Sequence, residues 1–201
     1  KGNAILHMLR DIIGDEAFFQ GMNLFLNKHK YGTAEAHDFR LALEEVSGKD
    51  LNWFFNQWYY GSGHPKIDVS YDYNTIQRKV TVNLLQLNSN AFAFPIAIDI
   101  FEEGKRIRHN VFVKGKDASF TFAYSKLPTL IQVNADGVLL CEINENKVLS
   151  DYIFQLKNAQ NYSHRREALL AISNKQNEKK VFNAVSNAMN DHSYKIRILA
   201  L

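Results

Sequence analysis

The sequence predicts a multidomain α+β protein. A helical segment spans 1–63, an antiparallel β-sandwich 64–147, and the start of a helical-repeat segment 148–201. Three observations carry this. Up to Tyr60, apolar residues recur at the three- and four-residue spacing of one helix face. Beyond GSGHP (61–65) they alternate with polar ones, as in IDVSYDY (67–73). From about position 148 the helical spacing returns.

Ile5, Met8, Leu9, Ile12 and Ile13 form the buried stripe of a first helix. Gly14-Asp15 ends it and caps a second, whose stripe is Phe18, Met22, Phe25 and Leu26. Tyr31-Gly32 breaks the pattern, and Thr33 is the expected N-cap of a third helix. Phe39, Leu43 and Val46 line that helix, and Gly48 closes it. Asp50 is the expected cap of a fourth, with Leu51, Phe54, Phe55 and Trp58 on one broad face. Gly61, Gly63 and Pro65 then exclude helix.

In the first strand Ile67, Val69, Tyr71 and Tyr73 alternate with Lys66, Asp68, Ser70 and Asp72. Further strands are expected near 78–87, 93–102, 105–114, 118–124, 129–134 and 137–143. EEGK (102–105), KGKD (114–117) and ADG (135–137) supply turns. Short strands at this spacing predict a small antiparallel sandwich. Tyr152, Ile153 and Leu156 open the last segment, and HRREALLAI (164–172) and KKVFNAVSNAM (179–189) give two amphipathic helices. NYSHRREALLA (161–171) echoes DHSYKIRILAL (191–201), as stacked helical pairs of HEAT-like type do.

The chain holds 24 Lys and Arg against 21 Asp and Glu. That balance is too even to argue for nucleic acid or an anionic membrane. No apolar run approaches the roughly 18 residues that cross a bilayer. A single cysteine, Cys141, forms no internal disulfide and leaves the compartment open. The first residue is Lys, no cap precedes the first helix, and IRILAL ends inside an apolar run. Both ends are therefore expected to continue in a longer protein.

A zinc hydrolase needs converging imidazoles or carboxylates with one position open, and its helical form is H-E-x-x-H. None of the seven histidines is followed by Glu. His29 and His37 read as surface residues, His7 as a half-buried residue among core positions, and His64 as a cap or packing group at the junction. Cys141, in VLLCEI, reads as a buried inert thiol. Glu44-Glu45 and Glu102-Glu103 are adjacent, point apart, and read as wetted pairs. GKRIRHNVFVKGK (104–116) places Lys105, Arg106 and Arg108 around a buried Ile107, and reads as a charged edge strand. Trp53, Phe54, Phe55, Trp58, Tyr59 and Tyr60 read as packing at a domain joint. No catalytic, metal-ligating or substrate-binding residue is assigned.

Residues 1–69, from KGNAILHMLRDIIGDEAFFQ to WYYGSGHPKIDV, resemble the M1 zinc aminopeptidases, the gluzincins related to aminopeptidase N and leukotriene A4 hydrolase. The order of segments that follows is similar to the family as well. The resemblance implies that 1–63 are the last helices of a thermolysin-like catalytic domain, 64–147 its sandwich domain and 148–201 the start of its helical domain. It implies a parent that removes N-terminal residues from peptides with zinc, a glutamate, an amine-binding loop and an oxyanion-stabilising tyrosine. All of those groups would lie before Lys1, and Tyr31, Tyr59 and Tyr60 do not match the tyrosine's position. The chain itself is then expected to bind no zinc and to be structural. The rival expectation is a non-enzymatic interaction scaffold of the same architecture. A bare apolar face on helices 1–63 is expected to self-associate or to bury against the sandwich, with no nucleic-acid partner.

Overall fold

In a computed structural model, residues 1–175 and 177–201 are described. The protein is α+β, with eight α-helices and two small sheets among these residues.

Helix α1 (Gly2–Ile13) buries Ile5, Met8, Leu9 and Ile13, as its spacing requires. Helix α2 (Asp15–His29) opens with acidic residues, and Arg10 donates to both Asp15 oxygens at 2.8 and 2.6 Å. Phe18 of its stripe is buried, whereas Leu26 is 62% exposed. Helix α3 (Ala36–Ser47) starts later than Thr33 predicts: Glu35 is the cap residue, and its N–H donates to the Asp38 carboxylate at 2.9 Å. The carboxylate three residues on satisfies the cap residue's own N–H, the reciprocal half of a capping box. Gly48 ends α3 at φ 66°, as expected. Gly21 lets α2 and α3 close up, since a Cβ there would lie 2.6 Å from a Leu43 methyl carbon.

Asp50 does not cap the next helix directly. Its carboxylate, one position before the cap residue Leu51, takes at 2.8 Å the N–H of Asn52, the first residue of the short α4 (Asn52–Phe54). From Phe55 to Tyr59 the chain widens into a π-helical turn, closed by Tyr60 N–H on Phe55 O at 3.0 Å. Gly61 is needed there because a Cβ would meet Gln57 O at 2.3 Å.

Seven strands follow: β1 (Lys66–Asn74), β2 (Lys79–Gln86), β3 (Phe94–Glu102), β4 (Lys105–Val113), β5 (Asp117–Ala123), β6 (Leu130–Val133) and β7 (Glu142–Glu145). They form sheets of order β5-β2-β1-β7 and β4-β3-β6. All pairings are antiparallel except one. Strand β7 runs parallel to β1, with Ile67 opposite Ile143, so the predicted purely antiparallel sandwich is corrected at one edge. The predicted strand at 137–143 is corrected too. Asn134 Oδ1 takes the Leu139 N–H at 3.2 Å and its Nδ2 donates to Leu139 O at 3.3 Å, which occupies the groups a ladder would use. Tyr73, predicted inward, is 45% exposed near the end of β1.

One buried cluster runs from Ile5 and Trp58 through Val80, Ile98 and Val133 to Leu139, so helices and sheets share a continuous core. A second cluster sits among α5 (Leu149–Asn158), α6 (Tyr162–Ile172), α7 (Lys179–Ala188) and α8 (Tyr194–Leu199). Helix α5 packs on α6 and α7, and α6 on α8. Two arginines make matching contacts, in another register than the sequence echo. Arg165 donates to Ala159 O and Gln160 O, and Arg197 donates to Asp191 O and His192 O, the carbonyls six and five residues back in each case. The sequence echo is offset by thirty residues, the arginine contacts by thirty-two.

Candidate functional site

The candidate site is the joint where α1, α4 and the sheets meet. Gln57 clamps the start of β3: its Nε2 donates to Ala93 O and its Oε1 takes the Ala93 N–H, each at 2.7 Å. Trp58 is buried against Phe92, with ring centres 5.3 Å apart, and Trp53 meets Phe112 edge-on at 5.8 Å. The aromatic cluster therefore packs the joint, with Tyr59 and Tyr60 left more than half exposed at its rim. Gln86, fully buried, binds Phe92 N–H and O at 2.9 and 2.8 Å and Gly115 O at 2.9 Å.

His64 does pack the junction. Its Nε2 lies 2.7 Å from Glu142 Oε1, and Lys66 Nζ is 3.3 Å from the other oxygen. The hydrogen bond from His64, then that from Lys66, holds the Glu142 carboxyl below the usual range.

A crevice of about 300 Å³ opens beside α1, lined by Met8, Asp11, Ile96, Arg108, Asn134 and Asp136 among others. Arg108 forks onto Asp99 at 2.7 and 2.8 Å and also pairs with Asp136. Those partners hold the guanidinium in its charged form. Burial, then the charge of Asp136, raises the Asp11 carboxyl.

The same contacts settle the stretch 104–116. Strand β4 is an edge strand as expected, but Ile107 is 41% exposed rather than buried, and Arg108 is committed to two carboxylates. Arg106 reaches Gln160 at 2.7 Å. Glu102 is a further correction: it is buried, and its carboxylate takes the Ser125 N–H at 2.9 Å. Glu44, half-buried, accepts Arg40 and the Leu51 N–H at 2.8 Å, while Glu45 pairs with Lys28 on the surface.

The histidines stay apart. His7 is exposed rather than half-buried, because it falls beside, not within, the Ile5–Leu9 stripe. His29 is half-buried against Phe25, His37 is exposed near Arg40, and His109 stacks on Phe122 at 4.2 Å. His164 fastens the C-terminal helices to the sheet. Its Nε2–H donates to Asn134 O at 2.9 Å, and its Nδ1 lies 3.1 Å from Gln132 Nε2 and 3.5 Å from Glu167 Oε2. Cys141 is half-buried, and burial, then the charge of Glu142, pushes its thiol up to about 12. Among the described residues no three His, Cys, Asp or Glu side chains gather to hold a metal ion, so the residues present do not fit a zinc centre. No helix among them is long and apolar enough to cross a membrane.

Sequence reasoning missed Gln57, Gln86, Asn134 and Arg165, polar residues whose side chains bind backbone groups of loops. An inward-phased glutamine following Val80, Val82 and Leu84 on one strand was the available signal for Gln86.

Comparison with known proteins falls on the same joint. The Peptidase family M1 domain model matches residues 1–58. The chain is 33% identical to aminopeptidase N of Escherichia coli K12 over 116 residues, covering 53% of this chain and 13% of that protein. It is 35% identical to Tricorn protease-interacting factor F2 of Thermoplasma volcanium, over 52% of this chain and 14% of that one. It thus spans about one seventh of the curated relatives it matches. In fold it is similar to the crystal structure of Legionella pneumophila aminopeptidase A in complex with aspartic acid, with a TM-score of 0.79 at 20% identity, over 94% of this chain and 24% of that one. The family match is thus confined to residues 1–58, and the alignments that extend it are to aminopeptidase N and a protease-interacting factor.

Proposed function

We propose that this chain is supporting framework within a zinc aminopeptidase that hydrolyses N-terminal residues from peptides, and that the chain alone is catalytically inert. The match of residues 1–58 to the M1 domain is the observation that carries this reading. Residues 1–63 are then the closing helices of a thermolysin-like catalytic domain. Residues 64–147 are a sandwich spacer, and 148–201 begin a HEAT-like helical domain that restricts access to the cleft. The repeated arginine contact at Arg165 and Arg197 supports the last assignment. Zinc in the parent would supply an activated water, and the groups holding it would belong to polypeptide outside this chain.

The apolar groove between α1, α2 and α3, about 660 Å³ with Phe19, Leu26 and Phe39 on its walls, supports the same placement. In the parent the rest of the M1 domain occupies it, and the chain alone self-associates through it. The test is to express the parent and assay it on aminoacyl reporters with and without a chelator. Chelator-sensitive release of the N-terminal residue supports the reading. A parent without H-E-x-x-H and without activity favours a non-enzymatic interaction scaffold, which the name of one relative, a protease-interacting factor, also supports.

A further inference from the structure

Helices α5 and α7 lie side by side and leave between them an open groove of about 520 Å³. Its apolar lining comes from Ile153, Leu156, Ala184 and Ala188. One wall carries Asn183, Asn187 and Asn190, a row at the spacing of one face of α7 and its C-terminal end. Lys157 stands on α5 and Lys180 on α7. We propose that this groove binds an extended acidic peptide segment.

Each asparagine carboxamide carries one acceptor and two donors, which complement the C=O and N–H of a peptide unit. All three are exposed, and their side chains make no hydrogen bond among the described residues. Asn183 and Asn187 are separated by about 6 Å along the helix, from its rise of ~1.5 Å per residue. Two residues of an extended chain advance about 6.6 Å, so successive carboxamides meet alternate peptide units of a strand laid along the helix. Alternate side chains of that strand face the apolar floor, and the others face the rim.

Charge selects the sequence. Neither Lys157 nor Lys180 has a carboxylate within ion-pair distance among the described residues. The acid in the lining, Asp191, is committed to Arg165 at 2.8 Å and to the Ser193 N–H at 2.7 Å. Among the described residues, the groove is left with Lys157 and Lys180 unpaired on opposite walls. Rim-facing carboxylates at every second residue satisfy them, and basic side chains are repelled. This inference rests on the groove alone and does not depend on the peptidase reading.

The test uses the whole chain and fluorescence anisotropy. The probe is a fluorescein-labelled peptide of alternating glutamate and alanine, blocked at both ends. Saturable binding that weakens with salt is expected. Lys157→Glu with Lys180→Glu should weaken it by about ten-fold or more. Alanine at Asn183, Asn187 and Asn190 should weaken it several-fold with circular dichroism and melting temperature unchanged, because all three are exposed. No binding overturns the proposal. So does equal binding of a lysine-alanine peptide, or binding indifferent to both sets of substitutions. Preferential binding of a single-stranded oligonucleotide that displaces the peptide overturns it in favour of a nucleic-acid groove.

Discussion

Arg165 and Arg197 hold the loop before their own helix in the same way, each reaching back to the carbonyls six and five residues upstream. The two differ in depth. Arg165 is 3% exposed and forks onto Asp191, whereas the bonds of Arg197 lie at the surface. Arg165→Met strands a buried Asp191 charge, which costs about 3 kcal/mol. Arg197→Met costs about 1 kcal/mol, the worth of exposed hydrogen bonds. Urea unfolding gives both values, and hydrogen exchange should place the loss of protection for Arg165→Met within 148–201. Equal costs would remove the distinction.

Gln86 stitches three backbone groups of two loops into the core. Gln86→Leu preserves volume but leaves Phe92 N–H and O and Gly115 O unpaired in a dry environment. A loss of about 2–3 kcal/mol is expected in urea unfolding, from the cost of unmet buried backbone groups. A change below about 0.5 kcal/mol would mean that water reaches them.

Those two residues mark the limit of what the sequence reveals. Periodicity located most helices and strands within a residue or two, because burial of Ile5, Met8 and Leu9, or of Val80, Val82 and Leu84, follows from local geometry. It could not show β7 parallel to β1, since Ile67 and Ile143 meet across more than seventy residues. Nor could it foresee that Asn134 would take over the backbone of Leu139 and push the last strand downstream. The candidate site was legible as an aromatic joint at 53–60. Its polar clamps were not, because the side chains of Gln57 and Gln86 bind backbone groups of loops that only the folded sheet brings to them.

The joint should weaken in acid through Glu142. His64, then Lys66, holds that carboxyl below its ordinary value. The unfolded chain therefore binds the proton more tightly than the folded one. The stability from this contact is present above the ordinary carboxylate range and is lost as pH falls through the depressed folded value. Melting temperatures of the chain and of Glu142→Gln should differ at neutral pH and converge as the pH is lowered past that point. A difference that grows in acid would reverse the sign of the argument.

The groove of α1–α3 should drive association. Phe19 is 53% exposed and Leu26 62%, and both line the same apolar groove. Light scattering should give a mass above the 23.1 kDa of one chain, and Phe19→Glu with Leu26→Glu should return it to that value. A strict monomer at high concentration would leave the face without the role assigned to it.

The central claim is that this chain carries framework and none of the bond-breaking groups. Equilibrium dialysis against Zn²⁺, read together with release of a chromophore from an aminoacyl anilide by the same sample, tests it directly. No stoichiometric tight zinc and no turnover above buffer are expected. One zinc retained per chain, or measurable cleavage abolished by a chelator, would contradict it.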